Sequence, residues 1–177
     1  VEVLSCMEVD QAAALLKRLA KPERNMLIDL IDNESKRDIA MLESFDEDEI
    51  GSRMSMNFIE IKAGISIREA MRELVAQAAE NDNISTLYVT DEQHTFCGAI
   101  DLKDLIIARE GSSLDDIIME SYPYVYAREM IEDCIERMKD YSEDSIPVLD
   151  ENNKILGVIT AQDIVQVVDD EMGDDYA

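Results

Sequence analysis

L-Y-V-T-D-E-Q-H-T-F-C-G-A-I-D-L-K-D, residues 87–104, returns as I-P-V-L-D-E-N-N-K-I-L-G-V-I-T-A-Q-D at residues 146–163. The two stretches align without a gap: Val89 falls on Val148, Asp91 on Asp150, Glu92 on Glu151, Gly98 on Gly157 and Asp104 on Asp163. Each reads as a strand, a polar turn, a second strand and a helix start. With one residue of slack the match extends upstream, where Arg68-Glu69 falls on Arg128-Glu129. Each of these pairs opens an amphipathic helix, with Ala70, Met71, Leu74, Val75 and Ala78 in one and Met130, Ile131, Cys134, Ile135 and Met138 in the other. Before them, Met54 to Ile61 parallels Met119 to Tyr126 as a short extended segment after a helical turn. The repeating unit is therefore strand, helix, strand, strand, helix.

Two such units joined directly are expected to pack in pseudo-twofold fashion, because each small sheet has an apolar face that it cannot bury alone. The cleft between the halves is the natural ligand site. Ahead of the repeat the pattern is helical. Asp10 caps a helix through Leu19, Pro22 sits at the first position of the next, and Asn33 starts a third with Ile39, Ala40, Leu42 and Phe45 as its apolar face. Glu43, Asp46, Glu47, Asp48 and Glu49 then form an acidic cluster at the junction.

Behind the repeat runs T-A-Q-D-I-V-Q-V-V-D-D-E-M-G-D-D-Y-A, residues 160–177. Ile164, Val165, Val167 and Val168 recur at helical spacing and predict a helix docked on a core. The polar residues include Asp163, Asp169, Asp170, Glu171, Asp174 and Asp175, with no Lys or Arg. Asp170 and Asp174 are four apart, as are Glu171 and Asp175, so like charges repel along one face. Carboxylates at a helix C-terminus also oppose its macrodipole. Such a run is either a solvated acidic tail or a surface that a divalent cation compensates.

The 177 residues are 46% apolar, enough for one large domain or two small ones. The net charge of −25 sets the chain against nucleic acid phosphates and anionic lipid. Cys6, Cys97 and Cys134 are too few and too scattered for a disulfide framework or a thiolate metal site, which fits a reducing cytosol. Cys97 and Cys134 are expected as inert core, and the ten Met as core packing. His94, the single histidine, is expected as a solvated turn residue, since no nucleophile accompanies it. No Walker or Rossmann glycine pattern occurs, and nothing marks an enzyme. No apolar run in these residues approaches the length of a membrane span and no signal peptide is visible, and the start at Val1 is expected of a fragment of a longer chain.

The duplicated unit resembles the CBS domain, through Gly98-Ala-Ile-Asp-Leu-Lys-Asp104 and Gly157-Val-Ile-Thr-Ala-Gln-Asp163, each behind a V-x-D-E hairpin. The resemblance implies an α+β fold: short N-terminal α-helices followed by a tandem CBS pair of two β-α-β-β-α units. In such modules the G-x-x-[ST]-x-x-D pattern puts a hydroxyl and an Asp on an adenine nucleotide, which would make Asp104, Thr160 and Asp163 nucleotide-binding. Asp101 replaces the hydroxyl in the first copy and would repel a phosphate.

The wider arrangement resembles the cytosolic region of MgtE-type magnesium transporters. Glu47-Asp-Glu-Ile-Gly-Ser-Arg-Met54 is similar to the E-D-E-x-G-x-x-M approach to that family's first CBS domain, and the acidic exit is similar to the segment before its connecting helix. The implied division is 1–49 as the end of a helical N-type domain, 50–112 as the first CBS domain and 113–177 as the second with its acidic exit. The family likeness implies Mg2+ bridged by Asp10, Glu132, Asp163, Glu171, Asp174 and Asp175, and gating of a pore carried by the same full-length chain. It also implies a homodimer through the CBS faces at the cytoplasmic side of the membrane. Ala14, Ser142 and Gln166 stand where the family pattern carries Asp, so some sites are expected to be weaker or differently ligated. The alternative implied function is sensing of ATP or another adenine nucleotide without a magnesium role. A plain protein-interaction scaffold, answering to neither ligand, is a third.

Overall fold

The structure, a computed structural model, describes residue 18, residues 33–109 and residues 111–174, with 33–35 and 171–174 described by their backbone. The helices expected before residue 33, together with Asp10, lie outside the described residues, as does Asp175. The described elements run α1 (Asn33–Glu43), a 3-10 turn (Ile50–Arg53), β1 (Ile59–Lys62), α2 (Ile67–Ala78), β2 (Thr86–Thr90), β3 (Phe96–Asp101) and α3 (Leu102–Ile107). A second 3-10 turn (Leu114–Ile117) leads to β4 (Val125–Tyr126), α4 (Ile131–Lys139), β5 (Ser145–Leu149), β6 (Ile155–Thr160) and α5 (Ala161–Asp174). The strands form two three-stranded sheets, β1-β2-β3 and β4-β5-β6. In each, the first pair is parallel, joined through a crossover helix, and the second is an antiparallel hairpin.

The duplication extends to atomic detail. Val89 pairs with Gly98 and Val148 with Gly157, and both hairpins slip register one residue further on. Asp91 Oδ1 accepts from the backbone N–H groups of Gln93 and Thr95 at 2.8 and 2.9 Å, and Asp150 Oδ1 accepts from those of Asn152 and Lys154 at the same distances. The shared aspartate is thus the organiser of an Asx-type turn. His94 and Asn153 then take φ of +64° and +63°, a left-handed conformation that Asn and His tolerate better than most side chains.

Upstream, the register differs from the one suggested by the Arg-Glu pairs. The buried residues of α2 are Ile67, Ala70 and Leu74, and those of α4 are Ile131, Cys134 and Met138. Residue 67 therefore corresponds to 131, and Arg128-Glu129 lies ahead of α4 while Arg68-Glu69 lies inside α2. Core spacing, not the charged pair, fixes the alignment. Ser66 starts α2 with a reciprocal cap, its Oγ accepting from Glu69 N at 3.1 Å and its N–H donating to Glu69 Oε2 at 2.9 Å. Val75, 66% exposed, lies off the buried face, as does Ala40 on α1.

The units exchange their lead-in segments. Ser55, ahead of β1, pairs with Val158 on β6 through Ser55 N–H to Val158 O at 2.7 Å and Val158 N–H to Ser55 O at 2.9 Å. Met119, ahead of β4, pairs in the same way with Ala99 on β3, at 2.7 and 3.1 Å. The motif glycines make room for this. A Cβ on Gly98 would stand 2.6 Å from Met119 O, and one on Gly157 would stand 2.7 Å from Ser55 O.

Between the sheets lies a third cluster of buried residues, Tyr88, Ala99, Tyr122, Leu149, Ile155 and Val158. Tyr88 is its hub, edge-on to Phe58 and Tyr122 with ring centroids 6.1 Å away in each case. Its hydroxyl hydrogen-bonds Ser145 Oγ, and Tyr122 OH donates to Ser145 O at 2.6 Å. Burial pushes the Tyr122 phenol up to about 12, and raises Tyr88 further. The hairpin tips also cross, with Phe96 N–H donating to Asn153 O at 2.8 Å.

Two of the expected turn and core residues differ in setting. Cys97 is exposed, because it falls on the outward face of β3, while Cys134 is buried as expected. Burial holds the Cys134 thiol up at about 11, so it is unreactive. His94 is exposed but engaged: its Nδ1 lies 2.9 Å from Glu60 Oε1. Burial raises the Glu60 carboxyl, but hydrogen bonds from Thr90, His94 and Lys62 outweigh it and hold the group below the usual 4.5. A carboxylate lowered on folding contributes stability that is fully present above its unfolded value and fades as pH falls through the folded one. Glu60→Gln is therefore expected to flatten the loss of thermal stability on acidification below about pH 4.5. Melts at steps between neutral pH and pH 3 check this.

Candidate functional site

The G-x-x-[ST]-x-x-D motif first does a local job. Thr160 N–H donates to Asp163 Oδ2 at 3.1 Å, and Asp163 N–H donates to Thr160 Oγ1 at 3.2 Å. This reciprocal cap starts α5 at the end of β6. In the first copy Asp101 is the cap of α3, its Oδ1 accepting from Lys103 N–H at 3.0 Å. Asp and Thr both serve as N-caps, so the exchange keeps the helix start while adding a negative charge. Both motif ends remain half-buried in the second copy, and Asp104 is half-buried in the first.

A cleft of about 520 Å³ opens at the Asp101 side, lined among others by Thr86, Asp101, Glu120, Tyr122, Glu143 and Asp144. Four carboxylates thus face one space, and Glu143 Oε2 is buried without a hydrogen-bond partner among the described residues. Such a lining opposes a phosphate and suits a cation. Asp104, Thr160 and Asp163 are none of them among its lining residues, so this cleft does not gather the three expected nucleotide contacts. Sequence reading missed Glu120, Glu143 and Asp144. The repeat puts Met119 to Tyr126, and with it Glu120, in the position of a lead-in strand, while nothing local marks Glu143 and Asp144.

The expected metal ligands are dispersed. Glu132 is exposed in the first turn of α4. Asp163 is held at the start of α5, whose backbone carries Glu171 and Asp174 at its far end. Ile164 and Val167 bury that helix against the second unit, as the apolar spacing predicts, while Val165 is exposed. Arg53, in the first 3-10 turn, donates to Asp170 Oδ2 at 2.9 Å. The exit helix thus receives a basic partner from far away in the sequence. Among the described residues no group of three His, Cys, Asp or Glu side chains could hold a metal ion by itself. Of the described side chains, Glu132 is exposed and Asp163 half-buried, and carboxylates on separate segments suit a hydrated Mg2+ held by one or two protein oxygens.

The CBS domain family model matches residues 48–111 and again residues 114–170. The chain belongs to the CBS domain family. The two matches coincide with the duplicated unit, so the protein carries a tandem CBS pair. It is homologous to MgtE magnesium transporters: it is 32% identical over 145 residues to magnesium transporter MgtE of Enterococcus faecalis, across 82% of this chain and 32% of that protein. The chain spans about a third of the length of the curated transporters it matches. Among solved structures, the soluble part of a magnesium transporter superposes with a TM-score of 0.89 at 31% identity, covering 96% of this chain and 66% of that one. The cytosolic domain of the Mg2+ channel MgtE in complex with ATP gives 0.86 at 28% identity, covering 94% and 68%. CBS domains are not a catalytic family. Among the described residues no helix is long and apolar enough to cross a membrane.

Proposed function

We propose that this CBS pair is the cytosolic regulatory part of a magnesium transporter, without enzymatic activity of its own. It senses Mg2+ through bridging carboxylates and passes the signal to a pore domain on the same full-length chain. The observation that carries this reading is the acidic exit helix docked on the second CBS unit, in a chain homologous to MgtE transporters. With the ion present, carboxylates of separate segments attract through it; without it they repel, and the segments separate. Asp10, Glu132, Asp163, Glu171, Asp174 and Asp175 are the proposed contributors. Homodimerisation through CBS helices is part of the reading, and the exposed Val75, Ile106 and Ile107 on α2 and α3 supply apolar surface for it. The test is a calorimetric titration with Mg2+ at constant ionic strength. A saturable heat that is lost in the Asp174→Ala, Asp175→Ala double variant supports the proposal, and a heat equal to that of a monovalent salt overturns it.

A nucleotide role at the second copy of the motif is compatible with this, and the ATP complex of a related cytosolic domain favours it. Thr160 and Asp163 are the proposed contacts, whereas the Asp101 cleft carries too much negative charge for a phosphate. ATP is expected to bind at no more than one site per chain. Thr160→Val should weaken that binding by about tenfold, the scale of one lost hydrogen bond to a charged group, while Asp101→Asn should not. Equilibrium dialysis with labelled ATP measures both.

A further inference from the structure

The two cores draw on the chain in different ways. The buried core of the first unit falls between Ile59 and Leu114, one continuous stretch. That of the second unit joins Ile39 and Leu42 of α1, Phe45 just after it, and Ile50 and Met54 of the lead-in to residues from Val125 through Val167 of α5. The first unit is therefore inserted between the two pieces of the second. Backbone bonds close the joint: Ile50 N–H to Glu129 O at 2.8 Å, Gly51 N–H to Ala127 O at 2.8 Å and Ile131 N–H to Asp48 O at 2.7 Å.

Charged groups fasten the same joint. Glu49, 8% exposed, accepts from Arg128 Nη1 at 3.2 Å, and that guanidinium lies 5.1 Å over the Phe45 ring. Arg53 then ties the lead-in to Asp170 on α5. An 11-residue helix such as α1 is marginal by itself in water, so its order derives from this packing.

We infer that α1, the lead-in and α5 form one cooperative unit with the second repeat, so that a displacement of α1 reaches the exit helix without passing through the first repeat. A close-packed core shifts between discrete arrangements and does not deform smoothly, and local opening follows contiguous packed units. Whatever acts on the chain ahead of residue 33 is thereby coupled to α5 by the core that both helices share. The coupling rests on packing alone and is independent of the Mg2+ reading.

The test is hydrogen exchange with mass spectrometry on the 177-residue chain in metal-free buffer, comparing Leu42→Ala in α1 with Leu105→Ala in α3. Leu42→Ala is expected to accelerate exchange in α4, β5 and α5 at least about tenfold more than in α2, β2 and β3. Leu105→Ala should give the reverse pattern. Acceleration confined to α1, or spread equally over both repeats, would overturn the inference. Should Leu42→Ala fail to fold, Ile39→Val makes a smaller cavity at the same joint and is expected to give about a threefold to tenfold change in the same segments.

Discussion

Tyr88→Ala is expected to cost about 3–5 kcal/mol, the range for removing a buried aromatic side chain. The ring is fully buried and meets Phe58, Phe96 and Tyr122 at the seam between the sheets. Its loss removes packing from both repeats at once and leaves Ser145 Oγ without the phenol partner. Tyr88→Phe keeps the ring contacts and gives up the hydroxyl alone, so about 1–3 kcal/mol is expected from it. Urea unfolding followed by two probes, one in each repeat, measures both variants. Tyr88→Ala should also separate the two transitions, because the seam joins the repeats alongside the exchanged lead-ins. Equal losses from the two variants would mean that the hydrogen bond to Ser145, not the aromatic contacts, dominates the seam.

The motif glycines carry the second large effect. In Gly157→Ala the new methyl group meets a backbone carbonyl, Ser55 O, at 2.7 Å, with Met54 Sδ at 3.0 Å behind it. The Met54 side chain can move, but the carbonyl is held by its hydrogen bond from Val158 N–H at 2.9 Å. Relief requires the lead-in strand to withdraw from β6, and overpacking of this kind costs about 1–3 kcal/mol. Gly98→Ala meets Met119 O in the same way at 2.6 Å. Gly64→Ala serves as a contrast. A Cβ there touches nothing within 4 Å, and the residue is strained only by its φ of +81°. Chemical denaturation of the three variants is expected to show Gly98→Ala and Gly157→Ala shifting the midpoint with a fall in protection of the lead-ins, and Gly64→Ala leaving the lead-ins protected.

These two sites also show what sequence can and cannot convey. The hairpins were legible because their information is local. Asp91 and Asp150 organise turns with their own neighbours, and the alternation on either side marks strands. The exit helix was legible for the same reason, through the spacing of Ile164 and Val167. The exchange of lead-ins was not, since Ser55 pairs with Val158 across the chain and nothing near either residue announces it. The Arg-Glu pairs suggested a register one helical turn away from the one that packing selects, because charged surface residues repeat by chance in a chain with 41 acids and 16 bases. The same abundance hid Glu120, Glu143 and Asp144 in the cleft and Arg53 as the partner of Asp170. Thr160 and Asp163 were read for their ligand chemistry, and the structure adds that they cap α5, so substitutions there affect the helix as well as any ligand.

Divalent magnesium, and not ionic strength, is proposed to draw the acidic segments together. Thermal unfolding of this chain against Mg2+, with KCl matched for ionic strength, separates the two effects. A ligand bound by the folded state alone stabilises it by RT ln(1 + [L]/Kd). At ten times the half-saturating concentration this is about 1.4 kcal/mol, or a rise of roughly 3–6 °C for a domain of this size. A saturable rise of that order beyond the KCl control is expected, reduced in the Asp174→Ala, Asp175→Ala variant. A melting curve that follows KCl and Mg2+ identically at equal ionic strength would leave no specific Mg2+ site in this chain.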